Sequence, residues 1–153
     1  MRYLIDVAIL TLLSLFAVLF GGCLAGMGYS TEDRVTAAAR EYNEGVRWGR
    51  LEKAADHLQK AERDRFYDRH KNVEDELEIA DCEIVSLVID KSDKKVTRAT
   101  ATVQYAWTLK RVGLVEKTTT VQKWEERDRE WLLVSETRKK GSPLTLFDEP
   151  GKK

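Results

Sequence analysis

Between Ala99 and Leu109 the odd positions Ala99, Ala101, Val103, Tyr105, Trp107 and Leu109 are apolar, while Thr100, Thr102, Gln104 and Thr108 are polar. Successive side chains of a β-strand point to opposite faces, so this segment has one face for a core and one for water. A strand of that kind needs partners, and the flanking sequence supplies them. An earlier strand runs from Leu77 to Ile89 and turns through Lys91-Ser92-Asp93-Lys94. Its alternation is muddled around Cys82 to Val85, which predicts a bulge that bends it. A third strand covers Val115 to Glu126 after the turn at Gly113, and a fourth covers Trp131 to Thr137 after Arg127-Asp128-Arg129. The pattern predicts a four-stranded antiparallel meander.

Before Glu76 the period is helical. Ser30 and Thr31 offer hydroxyl caps, and Glu32 and Asp33 place negative charge on the positive end of the helix dipole. Val35, Ala38, Ala39, Tyr42 and Val46 recur at spacings of three and four, the stripe of a helix with one buried face. Gly45 and Gly49, flanking Trp48, mark its end. A second helix carries Leu51, Ala54, Ala55, Leu58 and Phe66, and the charge run from Lys60 to Glu78 is expected to be solvated surface. The fold class is therefore α+β, with two or three N-terminal helices packed on a curved sheet and a signal or anchor helix ahead of them.

Tyr42-x-x-x-Val46-x-Trp48-Gly49 leading into Ala54 and Ala55, with the closing Trp124 and Trp131-Leu132-Leu133, resembles the nuclear transport factor two-like, or cystatin-like, cone superfamily and its small exported lipoproteins. The resemblance spans Thr31 to Thr137 and implies a cavity between helices and sheet. It would draw the cavity wall from Tyr42, Trp48, Tyr105, Trp107 and Trp124. Aromatics in such positions ordinarily fill a core, so the expectation is a filled cone, with a pocket for a small apolar ligand as the alternative.

Catalytic chemistry finds little support. A proton-transfer enzyme needs a carboxylate or His in a dry pocket, and the inward positions of the clean strand hold neither. Asp81 is the best carboxylate candidate, because it interrupts an apolar stretch. Cys82 reads as a small core side chain with no His near it in sequence. His57 and His70 lack the one-turn spacing of a metal-binding pair, so both are expected on a solvated, ion-paired helix face. No nucleophile elbow, phosphate loop or dinucleotide fingerprint is present, and neither a metal nor a cofactor is expected. Acidic and basic residues balance at 26 each, which gives nucleic acid no basic field to bind.

The chain begins with Arg2, an apolar run from Val7 to Phe20, and Leu19-Phe20-Gly21-Gly22-Cys23. That pattern resembles a bacterial lipoprotein signal, with cleavage before Cys23 and a diacylglycerol thioether on it. Phe20 stands where Leu is commoner, and Asp6 is an unusual neighbour of the run. Two alternatives stay open: an uncleaved anchor, since Val7 to Tyr29 is uncharged and about long enough to span a bilayer, and a plain cleaved signal. Leu24 after the cysteine, by resemblance to enteric lipoproteins, favours the outer over the inner membrane, on the periplasmic side. The expected layout is signal peptide 1–22, linker 23–30, cone domain 31–138 and flexible tail 139–153, with the apolar patch Leu144 to Phe147 docking on its own domain or, as the alternative, on a partner. The expected function is a non-catalytic interaction or accessory module of the cell envelope, held to the membrane through Cys23 and meeting an envelope protein partner; a carrier or sensor for a small apolar ligand is the main alternative, and an isomerase- or dehydratase-like enzyme a weaker one.

Overall fold

The computed structural model describes residues 29–144 apart from 72, 94 and 112, and side chains at 73 and 74 are also outside it. The lipidation position Cys23, the whole expected signal segment and residues 145–153 lie outside the described residues. Among the described residues, no helix is long and apolar enough to cross a membrane.

Four helices precede four strands: α1 (Thr31–Arg47), α2 (Leu51–Asp56), α3 (Lys60–His70), the single turn α4 (Val73–Glu76), then β1 (Leu77–Asp90), β2 (Arg98–Leu109), β3 (Val115–Arg127) and β4 (Glu130–Gly141). The strands form one antiparallel sheet in the order β1-β2-β3-β4, the meander expected from the period-two segments. α1 buries the anticipated stripe of Val35, Ala38, Ala39, Tyr42 and Val46. It ends in a Schellman motif: Gly49 takes φ +62°, Arg50 N–H donates to the Gly45 carbonyl at 2.8 Å, and Gly49 N–H to that of Val46 at 3.4 Å. Gly45 has a second role, since a Cβ there would lie 2.9 Å from Ala54; only glycine lets α2 come this close.

The expected second helix is two pieces rather than one, α2 and α3. The chain leaves helical geometry at His57, and Leu58 instead forms a parallel bridge with Leu133 of β4, where Leu133 N–H donates to the His57 carbonyl at 2.8 Å. The charge run is not wholly surface either, because Phe66, His70 and Leu77 within it are buried.

The sheet bends at bulges. β1 slips register against β2 between Ile79 and Asp81 and again between Ile84 and Ser86, the second inside the stretch whose alternation is muddled. The first is held from outside by Arg47, whose guanidinium donates to the Ala80 carbonyl. β4 slips between its partners of Lys123 and Trp124, which leaves Val134 as the extra residue. β3 and β4 join through Asp128 and Arg129, both at positive φ (51° and 69°), the geometry of a tight two-residue hairpin turn. β4 also runs past the expected start of the tail, to Gly141, and Leu144 docks in the core with 1% of its surface exposed.

Candidate functional site

The bulge at Val134 decides what the concave face of the sheet contains. Trp131 and Leu133 point into the core, and an uninterrupted strand would continue with Ser135 and Thr137. One extra residue reverses the phase, and Glu136 faces inward instead. Its carboxyl group gathers four donors from three elements. Thr120 Oγ1 donates to Oε1 at 2.7 Å, Gln122 Nε2 to Oε1 at 3.0 Å, Tyr105 Oη to Oε1 at 3.1 Å, and Tyr42 Oη to Oε2 at 3.1 Å. A second tier fixes the first: Gln122 Nε2 also donates to Asn43 Oδ1 at 2.7 Å, and Asn43 Nδ2 donates to the Ala39 carbonyl at 2.7 Å. Oε1 is thus crowded, whereas Oε2 has Tyr42 alone among these donors.

Desolvation pushes the Glu136 carboxyl above the usual carboxylate range, and the donors from Gln122, Thr120, Tyr105 and Tyr42 pull against that without cancelling it. Burial, reinforced by Glu136, likewise raises the Tyr42 and Tyr105 hydroxyls well above their ordinary value. Both phenols are therefore hydrogen-bond donors, not anions.

Glu136 lines a cavity of about 60 Å³ together with Tyr42, Leu58, Glu62, Arg69, His70, Leu133, Val134 and Ser135. His70, the last residue of α3, is the second functional group there. Contrary to the expectation of a solvated histidine, it is 6% exposed, its ring 4.0 Å from that of Phe66 one turn earlier. Nδ1 lies 2.8 Å from the Phe66 carbonyl oxygen, an acceptor only, so Nδ1 carries the proton and Nε2 offers a lone pair. That Nε2 is buried with no hydrogen-bond partner. Desolvation lowers the His70 pKa to about 4, with Arg69 adding to the effect, so the ring is neutral near pH 7. His57 behaves differently: its Nε2 meets Glu41 at 3.3 Å at the protein surface.

Of the five aromatics expected on the cavity wall, Tyr42 lines the cavity, and Tyr105, Trp107 and Trp124 are buried in the core beside it. Trp48 stands elsewhere, 61% exposed beyond the end of α1 with Arg47 stacked on its ring. It sits at the C-cap, between Arg47 and the Gly49 turn, and so falls outside the inward stripe. Asp81 is also outside: 68% of its side chain is exposed, at a bulge, where it pairs with Arg47 at 3.4 Å. Cys82 is partly buried, and burial pushes its thiol up to about 12, which leaves it protonated and unreactive. No group of three or more potential metal ligands occurs among the described residues.

Helices packed against a bent four-stranded antiparallel meander make this an α+β cone fold. Two solved structures share it. One, from Exiguobacterium sibiricum, is described as a calcium/calmodulin-dependent kinase II association domain; it superposes with a TM-score of 0.55 at 12% identity, over 74% of this chain and 95% of that one. The other, from Xanthomonas campestris, is described in the same terms, with a TM-score of 0.51, 17% identity and coverage of 74% and 91%. At these identities the likeness concerns the fold alone. No protein-family model and no curated protein matches the chain.

Proposed function

We propose that this protein is a small bacterial lipoprotein whose cone domain is a non-catalytic association module, tethered through Cys23 on the periplasmic side and docking a protein partner of the envelope. The observation that carries the reading is the filled interior. Tyr105, Trp124, Phe66 and Leu144 occupy the cone with 1% exposure or less, and the cavity beside Glu136 is about 60 Å³. An engineered cavity that holds benzene is roughly 150 Å³, so the cavity beside Glu136 does not take an apolar molecule of that size; the larger groove of about 540 Å³ between α1 and β1 is lined largely by polar side chains, Glu32, Arg40, Asn43, Glu44 and Arg47 among them. Apolar side chains are instead spent on the outside. Val85 and Val88 on the edge strand β1 are more than half exposed, as are Trp48, Leu114 and Val115. Edge strands with apolar outward side chains invite pairing with another chain. The association domains named above lend the same reading by analogy of fold.

The test is site-specific photo-cross-linking in the living envelope, with the reactive residue at Val88 or at Trp48 and, as a control, at Glu52. Discrete adducts from the first two positions and none from the control are expected. Their absence from both apolar positions overturns the association reading. The anchor is tested separately: Cys23→Ala should accumulate as an unprocessed precursor, and an unchanged mass in that variant sinks the lipoprotein assignment.

A further inference from the structure

We propose that the free edge of β1 takes a fifth strand from a partner protein, an extended segment whose side chains alternate between apolar and basic. This rests on the association reading above and names the kind of segment that docks. The sheet runs β1-β2-β3-β4, so β1 and β4 are its edges, and the two differ. β4 is capped where Leu58 bridges to Leu133, with Leu133 N–H donating to the His57 carbonyl at 2.8 Å. β1 pairs with β2 alone among the described residues. Arg47 holds the Ala80 carbonyl at its first bulge, and the strand then continues to Asp90. The unpaired N–H and C=O groups of such an edge are a template for another strand.

The inward row of β1 shows what that strand must supply. Ile84, Leu87 and Ile89 pack against the core but are only partly buried, while their partners on β2, namely Val103, Ala101 and Ala99, are at most 2% exposed. The row is thus sealed one strand further in and open at the edge. Beside it lies the groove of about 540 Å³, with Ile84 and Leu87 on the strand side and Thr36 and Arg40 on the helix side. A strand added outside β1 places every second side chain over this row, and apolar ones seal it. The outward row selects charge. From Leu77 to Asp90 there are four carboxylates, Glu78, Asp81, Glu83 and Asp90, and no Lys or Arg. Asp81 pairs with Arg47 at 3.4 Å, and Asp90, opposite Arg98, accepts the Ser92 N–H at 2.8 Å; Glu83 has no ion pair among the described residues. Opposite charges on adjacent strands attract and like charges repel, so a second copy of this acidic edge is rejected and Lys or Arg at the outward positions is favoured. Val88, 64% exposed on the same outward face, gives the aliphatic stems of those residues a surface to lie on. Glu32, Glu44, Arg40 and Arg47 on the helical wall balance one another, which leaves the selection to the outer face.

The test uses the full chain in a neutral detergent and three peptides of about ten residues, a common upper length for a strand. One alternates Val with Lys, one has the same composition in separate blocks, and one has Glu for every Lys. The alternating Val–Lys peptide should slow amide hydrogen exchange within Cys82 to Asp90, shift the methyl resonances of Ile84 and Leu87 saturably, leave those of Leu133 unmoved, and bind at least tenfold tighter than either control. Glu83→Lys, at an exposed position, should weaken the Val–Lys peptide severalfold and strengthen the Val–Glu peptide. Equal affinity for the alternating and blocked peptides, an affinity indifferent to Glu83→Lys, or no protection of β1 by the Val–Lys peptide overturns the proposal. Its failure and that of the association reading look different. Envelope adducts at Val88 with no protection of β1 by the Val–Lys peptide remove strand addition and leave a module that docks by its sheet face, whereas charge-dependent protection without envelope adducts keeps the surface and removes its role in the envelope.

Discussion

Strands β2 and β3 are hydrogen-bonded neighbours and line the same interior, yet β2 presents Ala99, Ala101, Val103, Tyr105 and Trp107 to it where β3 presents Thr118, Thr120, Gln122 and Trp124. All nine are buried. The apolar row is stabilised by area removed from water and asks little of its neighbours beyond shape. The polar row is tolerable only because its Thr and Gln groups find partners; of this row, Trp124 Nε1 is left without one. Thr118 Oγ1 accepts from Trp107 Nε1 at 2.9 Å and donates to the Ser142 carbonyl at 2.6 Å, while Thr120 and Gln122 converge on Glu136. One row is robust to detail, and the other depends on residues from α1, β2 and β4 arriving together.

Replacing the single aromatic of the polar row gives the largest effect. Trp124 is fully buried, with Tyr42 edge-on at 6.0 Å and His57 at 6.1 Å, so Trp124→Ala should destabilise the domain by about 3–5 kcal/mol, read as a shift in the urea midpoint. A much smaller shift would mean that the polar network, not the aromatic core, holds the cone. Glu136→Ala tests that side. It strands the hydroxyls of Tyr42 and Thr120 and leaves Tyr105 and Gln122 only Asn43 Oδ1 to share, and entry of water into the enlarged cavity relieves only part of this; the expected cost is about 3 kcal/mol. Glu136→Gln keeps one acceptor oxygen and should cost less. Equal costs for the two variants would show that the carboxyl contributes volume rather than hydrogen bonding.

The same contrast explains what could be read in the sequence. β2 was legible because burial and hydrophobicity coincide in it, and α1 because its stripe of Val35, Ala38, Ala39, Tyr42 and Val46 has helical spacing. The inward face of β3 is Thr, Thr, Gln and Trp, which by composition is indistinguishable from a wet face. Glu136 was hidden twice, by its charge and by the bulge at Val134 that reverses the phase of β4. The only available hint was that Trp131 and Leu133 set a parity the following residues do not keep. His70 sits in a segment so rich in charge that its burial shows only once Phe66, four residues earlier, is known to face the core. Asp81 drew notice for interrupting an apolar run, and a bulge is where such an interruption is harmless.

A smaller effect, dependent on pH, separates His70 from Glu136. His70 has a folded pKa of about 4 against roughly 6.5 in an unfolded chain, so between these values the unfolded state binds more protons and stability falls as pH is lowered. The loss attributable to His70 is about 2 kcal/mol at pH 5 and negligible above pH 7.5. Glu136 acts with the opposite sign: its raised pKa makes the folded state hold its proton longer, so its contribution falls as pH rises above the ordinary carboxylate range. His70→Phe preserves the ring packed on Phe66 and removes only the first of these dependences. The stability of that variant relative to wild type should therefore be flat above pH 7.5 and improve by about 2 kcal/mol on going to pH 5, with Glu62, Arg69 and Glu136 facing the position unchanged in both proteins. A difference that stays constant down to pH 5 would mean that His70 titrates as an open, solvated residue. The dry environment assigned to His70 would then fall away while the apolar row of β2 stood untouched.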